Sequence, residues 1–219
     1  MNTTKAILLC AAVSAKSICL AETNDLTQLL VPTAVPSSNL AESVNAEEPT
    51  VKTPSFKQML EKAENGDVES QIKIGWRYAN GEGIEHDDVK AVTWFRKAAE
   101  QGNADAQLVL GTCYSKGRGI ETNDIEAVAW YRKAADQGLA EAQFDLGVCC
   151  AFGYGTETND VEAVAWFRKA ADQGHAHAQF CLGEFYANGI GVEKDEATAA
   201  EWYRKAADQE HADAQFCLG

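Results

Sequence analysis

The sequence has no proline between Ser55 and Gly219, and all four prolines of the 219-residue chain lie before that stretch. Proline breaks helices because it lacks a backbone N–H and because its ring clashes with the preceding turn. Its absence from 55–219 therefore allows uninterrupted helices there. Residues 22–54 differ, since they hold the prolines, scattered acids and a single basic residue, Lys52. Such a segment buries too little apolar area to offset chain entropy, which predicts a disordered linker.

Basic residues are also scarce, with 19 Lys and Arg against 33 Asp and Glu and a formal net charge of −14. Nucleic acids and anionic membrane surfaces are bound through clustered Lys and Arg. The charge balance therefore argues against both kinds of partner, and the sequence predicts no nucleic-acid binding.

Long hydrophobic runs are lacking as well. The apolar stretch near the N-terminus, residues 6–13, follows Lys5 and is far shorter than the roughly 20 residues that span a bilayer. A positive start, a short apolar stretch and small residues after it are typical of a secretory signal peptide. We predict a signal peptide over residues 1–21 with cleavage after Ala21, and cleavage after Ala15 is the alternative. The mature chain is then expected in the periplasm or outside the cell, without a stable membrane anchor.

The dominant feature that the sequence does contain is an internal repeat. Tryptophans recur at 94, 130, 166 and 202, and the glycines of a Leu-Gly pair recur at 111, 147, 183 and 219. Both series advance in steps of 36 residues. Constant spacing of this kind indicates a stack of similar structural units. The units are predicted at 67–102, 103–138, 139–174 and 175–210, with a partial fifth unit at 211–219.

The sequence pattern of each unit predicts two helices, which we call its first and second helix. In the second unit, Ala106, Leu110 and Tyr114 lie on one face at helical spacing. Gly111 shares that face, where it lets a neighbouring helix approach closely.

The second helix of this unit is predicted from about residue 125 to 137, with Asn123 or Asp124 as its N-cap and Gly138 at its end. The loop between the two helices contains a Gly-x-Gly motif, which recurs in every complete unit. A phosphate-binding loop follows a strand and needs further Gly or Lys positions. These motifs are therefore predicted to be turns between helices.

The repeat pattern resembles a known family. The segments Ala-x-x-x-Leu-Gly-x-x-Tyr-x-x-Gly-x-Gly and Ala-x-x-Trp-(Tyr/Phe)-Arg-Lys-Ala-Ala look like the Sel-1-like repeat, a relative of tetratricopeptide repeats. The resemblance implies an all-α fold, a right-handed α/α superhelix whose first helices line a concave face. Residues 55–66 align with a second helix but have Gln58 in place of the tryptophan, which predicts an N-terminal capping helix.

The C-terminus falls midway through a first helix. We expect either a truncated product or, if the chain is complete, self-association through the exposed apolar residues Phe216 and Leu218.

The motifs of common hydrolases and metal or redox sites are missing. The sequence contains no Gly-x-Ser-x-Gly, no His-Glu-x-x-His and no Cys-x-x-Cys. Its carboxylates are spread over predicted helix surfaces, and a catalytic site needs partners that converge on one cleft. The sequence therefore predicts no catalytic residue and no cofactor.

Five cysteines remain after the predicted cleavage. Four of them fall on one lengthwise stripe of the first helices, which also takes in His177: Cys113, Cys149, Cys181 and Cys217. His177 and Cys181 form an i, i+4 pair that could hold a metal with a third ligand from Cys149 or Cys217. The alternatives are strained disulfides, or small residues at variable surface positions.

A cysteine-rich branch of the family is reported to bind penicillin-like compounds and to have weak β-lactamase activity. Its regularly spaced cysteine pairs clip the two helices of one repeat together. The second helices of this chain contain no cysteine. Membership of that branch is therefore disfavoured.

Helical phase and the resemblance together predict which residues face a binding groove. We call them the first-helix row: Glu69, Lys73, Arg77, Asp105, Glu141, Asp145, His177 and Asp213. The row is mostly acidic past Arg77, which suits a basic or mixed-charge protein or peptide.

The sequence thus predicts an exported, non-enzymatic scaffold that binds a partner protein through this face. The alternatives are a hydrolase of β-lactams or cell-wall peptides, and a metal or redox binder built on the cysteine stripe.

Overall fold

The computed structural model describes residues 55–218, which form ten α-helices and no β-strand. The predicted signal peptide (1–21) and linker (22–54) lie outside the described residues, as does Gly219. The helices are α1 (Phe56–Glu64), α2 (Val68–Asn80), α3 (Asp88–Glu100), α4 (Ala104–Lys116), α5 (Asp124–Asp136), α6 (Ala140–Phe152), α7 (Asp160–Asp172), α8 (Ala176–Asn188), α9 (Glu196–Ala207) and α10 (Ala212–Leu218).

Each helix packs against the helices before and after it in the chain. The even-numbered helices α2 to α10 are the first helices of the units, and α3, α5, α7 and α9 are the second helices. Helix α1 lies ahead of α2 in the place of a second helix and begins with a capping box between Ser55 and Gln58. The predicted all-α solenoid of helix pairs is confirmed.

Short polar side chains set where most helices begin. Asn123 caps α5 by accepting from the backbone N–H of Glu126, so the first of the two predicted cap residues is the one used. At the other end, α4 stops at Gly117, which has a φ of 69° that suits glycine. Leu139 precedes α6 and makes no side-chain cap.

The glycine of the Leu-Gly pair allows the two helices of a unit to touch. A Cβ at Gly111 would lie 2.7 Å from the ring of Tyr131 on α5. The second glycine of the following turn has a related role between units, because a Cβ at Gly119 would lie 2.2 Å from the carbonyl oxygen of Asp88. The Gly-x-Gly motif thus turns the chain and packs it against the preceding unit.

Buried glutamines connect three successive helices at each unit boundary. Gln107 of α4 donates to the carbonyl oxygen of Ala99 on α3 at 3.1 Å and accepts from Gln137 after α5 at 2.7 Å. The pattern repeats at every complete unit, and we call these buried residues the glutamine ladder: Gln71, Gln107, Gln143 and Gln179. Since buried amides are costly unless bonded, the ladder favours one alignment of neighbouring units.

The interpretation of the cysteines as variable surface residues is wrong for most of them. Cys113, Cys149 and Cys150 are buried in the main hydrophobic core, and Cys181 is partly buried against it. Neighbouring helices therefore cover more of each first helix than a single core face. Among the five cysteines of residues 55–218, only Cys217, on α10, is exposed.

Phe216 and Leu218 are exposed, with 88% of Phe216 accessible. The equivalent residue one unit earlier, Phe180, is only 7% exposed because Tyr203 and His211 cover it.

Candidate functional site

The N-terminal part of the first-helix row is solvated and carries both charges. Lys73 and Glu69 form an exposed ion pair at 2.5 Å along α2. Arg77 is half-buried, with its guanidinium 5.8 Å from the ring centroid of Phe56. This end of the row can contact acidic and basic groups of a partner.

In the middle of the row, each first helix exposes a shorter stretch of its groove face than helical phase predicts. Asp105 and Asp145 are half-buried, as groove residues can be. The positions that follow them on the same face are inaccessible to a partner, since Val109, Cys113 and Cys149 are all buried. Packing within the array covers these positions, so the accessible polar groups lie towards the start of each first helix.

The C-terminal part of the row lies beside three neighbouring histidines, two from the fourth unit and one from the fifth. His175 precedes α8, His177 lies in its first turn, and His211 precedes α10. The ring centroids of His177 and His211 are 4.8 Å apart, and those of His175 and His177 are 6.0 Å apart. We call these residues the histidine cluster. It joins Glu141, His177 and Asp213 of the predicted row into one site.

Two of these histidines act as helix N-caps. Nδ1 of His175 accepts from the backbone N–H of Ala178 at 3.1 Å, and Nδ1 of His211 accepts from that of Ala214 at 3.4 Å. Nε2 of His175 lies 2.8 Å from a carboxylate oxygen of Glu141 on α6. Because a backbone N–H can only donate, Nδ1 must be unprotonated and Nε2 carries the proton that Glu141 accepts.

Phenylalanine rings cover the cap imidazoles. Phe144 stacks on His175 and Phe180 stacks on His211, both with ring centroids 4.8 Å apart. These contacts tie the turn that starts each unit to the first helix of the preceding unit.

The environment shifts the titration of this site in a consistent direction. Burial lowers the pKa of His177, and the neighbouring His211 and His175 lower it further. Burial also lowers the pKa of His211, although Asp213 opposes that shift. Burial opposes ionisation of Glu141, but the hydrogen bond from His175 and the nearby imidazoles outweigh it and lower the pKa of Glu141. The neutral imidazoles of His177 and His211 and the ionised carboxylate of Glu141 are therefore favoured near pH 7.

The cysteine stripe does not form a reactive centre. Burial raises the pKa of Cys113 and Cys181 to about 12 and that of Cys150 to about 11. Metal binding and thiol redox chemistry require the thiolate, which is disfavoured there at neutral pH. Within residues 55–218 no group of three or more His, Cys, Asp or Glu side chains is placed to hold a metal ion, so His177 and Cys181 gain no third ligand.

The sequence identified His177, Glu141 and Asp213 but missed how they are connected. The signal was present, because His175 and His211 occupy equivalent positions 36 residues apart at the start of a first helix. The recurrent glutamines, at 71, 107, 143, 179 and 215, were a second unused signal.

No helix in the described part of the chain is long and apolar enough to cross a membrane.

A family model described as the Sel1 repeat matches residues 68–103, 104–139, 140–175 and 176–211. These boundaries differ by one residue from those read off the sequence.

Two solved structures show substantial similarity in both sequence and shape. One is a protective antigen present in uropathogenic Escherichia coli strains that displays an SLR fold; it is 41% identical with a TM-score of 0.72, over 74% of this chain and 35% of that chain. The other is a Sel1 repeat protein from Oxalobacter formigenes, 40% identical with a TM-score of 0.71, over 74% of this chain and 65% of that chain. This chain spans less than two thirds of either relative's own length.

A Sel1 repeat protein from Klebsiella pneumoniae shares the fold at 22% identity and a TM-score of 0.50, over 71% of this chain and 74% of that chain. No curated protein matches this chain.

Proposed function

This chain belongs to the Sel1 repeat family, and from that premise we propose that it is a non-enzymatic scaffold that binds a basic or mixed-charge protein segment through the first-helix row. Proteins of this family generally mediate protein–protein interaction. The observation that carries the proposal is the series of partly or fully exposed side chains at the start of each unit, which are charged on α2, α4, α6 and α10 and an imidazole on α8. A stack of such units offers an extended surface to a partner.

The charges of the row are spread along the array, which favours binding of an extended ligand over a compact one. Glu69 and Lys73 provide an accessible pair at one end, and Asp213 provides an exposed carboxylate at the other. Between them lie the half-buried carboxylates of Asp105 and Asp145. A basic peptide that runs along the row would meet a carboxylate at every unit except the fourth, where the row holds His177, and this series of carboxylates favours association and sets the register of the peptide.

Peptide binding tests this proposal directly. Fluorescently labelled extended peptides of equal length and of basic, mixed or acidic composition are titrated with the purified protein. We expect the basic and mixed peptides to bind, with an affinity that falls as salt is raised, and the acidic peptide not to bind. Preference for the acidic peptide would overturn the predicted charge of the partner.

A pair of double variants locates the surface. Asp105→Asn with Asp213→Asn removes two carboxylates of the row, and Asp136→Asn with Asp172→Asn removes two exposed carboxylates at the ends of the second helices. We expect the first pair to weaken binding of the basic peptide roughly tenfold and the second pair to leave it unchanged. Equal effects of the two pairs would mean that the peptide responds to net charge alone.

The natural partner is sought by affinity capture of the tagged protein from the envelope or secreted fraction, followed by mass spectrometry. A stoichiometric protein that the Asp105 and Asp213 variant no longer captures would support the scaffold function. A partner that is retained by this variant would place the binding surface elsewhere.

We further propose that the chain is exported. The support is in the sequence: Lys5, the apolar residues 6–13 and the small residues that follow them. Fractionation of cells that express the chain, with N-terminal sequencing of the mature form, tests this. A mature N-terminus at Glu22 or at Lys16 would agree with the two cleavage alternatives, and an intact cytoplasmic chain would contradict export.

A further inference from the structure

Large hydrophobic side chains are buried or partly buried almost throughout residues 55–218, and the exceptions follow the repeat. Apart from Phe216 and Leu218 on α10, the exposed ones in this part of the chain are Val89, Ile125 and Val161. These three are 36 residues apart, each is the second residue of its helix, and between 64% and 71% of each is accessible. Single exposed apolar residues are common, but recurrence at one repeat position makes a shared surface.

Hydrophobic capping of the helix does not account for an apolar side chain at this position. In a hydrophobic staple, the residue before the N-cap packs against the fourth helical residue. Asn123 is the N-cap of α5, so Ile125 is the second helical residue and takes no part in such a contact. Exposure of an isoleucine to water contributes nothing to the stability of the array. The recurrence of this residue type therefore indicates a role in contact with another molecule.

Contacts between units bring these residues to one side of the array, which we call the loop edge because first helices end and second helices begin there. Backbone hydrogen bonds hold the start of each second helix to the end of the first helix of its unit, as between Asn123 and Tyr114 at 3.0 Å. The turn of the next unit then packs on that start. A Cβ at Gly155 would lie 2.7 Å from the backbone nitrogen of Ile125. Each exposed aliphatic residue is therefore next to a Gly-x-Gly turn of the following unit.

The central residue of each Gly-x-Gly turn decides whether the loop edge is charged or apolar at that point. Beside Val89 it is Arg118, whose Nε pairs with a carboxylate oxygen of Asp88 at 3.0 Å. In the next two units the central residue is a half-buried tyrosine or isoleucine. We call the two exposed aliphatic residues and the two turn residues beside them the loop-edge patch: Ile125, Tyr154, Val161 and Ile190.

Carboxylates border the loop-edge patch. Segments 119–126 and 155–162 contain six acidic residues and no basic one. The helix dipole favours acids in the first turns of α5 and α7. It does not account for Glu121 and Glu157, which lie in the loops ahead of these helices and are exposed. The border of the patch is therefore negative beyond what the helices require.

We propose that the loop-edge patch is a second docking surface, and that its partner is an amphipathic helix with an apolar face and a basic flank. Such a helix covers the apolar side chains with residues at i, i+3, i+4 and i+7 and meets the bordering carboxylates with Lys or Arg. The patch lies at the opposite end of the helices from the accessible charges of the first-helix row, and a 13-residue helix is about 20 Å long. The second surface is therefore separate from the proposed binding function and does not depend on it.

Two other occupants match the charge of the border less well. A second copy of the chain that docks through the same edge would bring two acidic borders together. Residues 22–54 of the chain contain scattered acids and a single basic residue, Lys52. Either occupant would leave most of the bordering carboxylates without a basic partner.

Three designed helical peptides of equal length, about 18 residues or about 27 Å, test the surface on the full chain. The first has leucines on one face and lysines on its flank, the second has glutamates in place of the lysines, and the third has glutamines in place of the leucines. We expect the first to bind at least about tenfold more tightly than the other two, since it alone supplies both apolar contact and opposite charge. Equal binding of the first and third would show that charge alone drives association and would overturn the proposal. Equal binding of the first and second would overturn the basic flank.

A matched pair of double variants locates the binding of the leucine–lysine peptide. Ile125→Ser with Val161→Ser removes the exposed aliphatic side chains of the loop-edge patch, and Phe216→Ser with Leu218→Ser removes the other exposed large hydrophobic residues of 55–218. We expect the first pair to weaken binding roughly tenfold and the second pair to leave it unchanged. Circular dichroism checks that both variants keep their helices, which exposed side chains should allow. A loss confined to the second pair would place the contact on α10 and overturn the proposal.

The variant Asp105→Asn with Asp213→Asn separates this surface from the first-helix row. It should bind the leucine–lysine peptide like the unmodified protein and lose affinity only for the extended basic peptide. Loss of both peptides in this variant would mean that one surface binds them, which would overturn a second docking surface. Sedimentation of the unmodified chain covers the remaining occupant, because a dimer that Ile125→Ser with Val161→Ser dissociates would assign the patch to a second copy.

Discussion

The first two units and the last two, of which the fifth is partial, begin their first helices with the same kind of capping contact but with different side chains. In all four, the side chain before the helix accepts a hydrogen bond from the backbone N–H three residues further on. The accepting side chains are Asp67 and Asn103 in the N-terminal half and His175 and His211 at the C-terminal end. The helices α2, α4 and α8 each have 13 residues, and the glycines at their centres, Gly75, Gly111 and Gly183, each face an aromatic ring of the following helix. Units with the same helix length and the same glycine contact thus differ in the chemistry of their caps.

The largest effect should be common to both halves. Gly111→Ala and Gly183→Ala each place a Cβ within 2.7 Å of a tyrosine ring, Tyr131 in one case and Tyr203 in the other. Overpacking of this kind costs about 1–3 kcal/mol, and we expect similar losses for the two variants. Urea unfolding followed by tryptophan fluorescence measures them. A much larger loss at one site would mean that the two halves differ in packing as well as in their caps.

The glutamine ladder should give the next largest effect, and it offers a control at an equivalent position. Gln107→Leu leaves the carbonyl of Ala99 and the amide of Gln137 without their buried partner, which costs about 1–3 kcal/mol. Gln215→Leu alters the same repeat position on α10, where the side chain is exposed, and should change stability by less than about 0.5 kcal/mol. Unfolding in urea under the same conditions compares them, and equal losses would contradict a role for burial of the ladder.

Acidification should affect the stability of the two halves of the array differently. We expect the free energy of unfolding to fall as the pH is lowered from about 7.5 to 5.5, because the lowered pKa values of His177 and His211 favour proton uptake on unfolding. His177→Gln with His211→Asn should flatten this dependence, and His86→Gln should leave it unchanged. Stability that is constant over this range in the unmodified protein would contradict the expected sign.

The smallest effect on stability should again be the same in both halves of the array. Lys97 lies over the ring of Trp94 with its ammonium 3.9 Å from the ring centroid, and Lys205 lies over Trp202 at 3.7 Å. Lys97→Gln and Lys205→Gln should each cost about 0.5 kcal/mol, as exposed cation–π contacts do. Thermal unfolding can resolve such changes as small shifts in Tm. A pH-dependent difference between the two variants would show that the second helices also differ between the halves.

Most of the fold could be predicted from the sequence because every unit repeats the same local signals. The tryptophan and Leu-Gly series gave the period, Asn123 was one of two predicted caps, and Gly111 was assigned its close contact. These features depend on interactions within one unit. Helical spacing alone is therefore enough to find them.

The candidate site was harder to predict because it depends on how successive units stack. Helical phase placed Cys113 and Cys149 outside the core face, but packing between the helices of the array buries them. The contact between His175 and Glu141 joins residues 34 positions apart on different units. Spacing within one helix does not contain that information, although the recurrence of histidine at 175 and 211 and of glutamine along the array could have indicated it.

The glutamine ladder bears on how an array of this kind can change in length. In each complete unit the buried glutamine accepts from a second glutamine of the same unit and donates to an alanine carbonyl that precedes the unit. Duplication or loss of 36 residues at a unit boundary therefore restores every buried amide contact, whereas an insertion of another length leaves amides unsatisfied. The polar interior, like the repeated contacts of glycine with an aromatic ring, therefore favours changes in length by whole units of 36 residues.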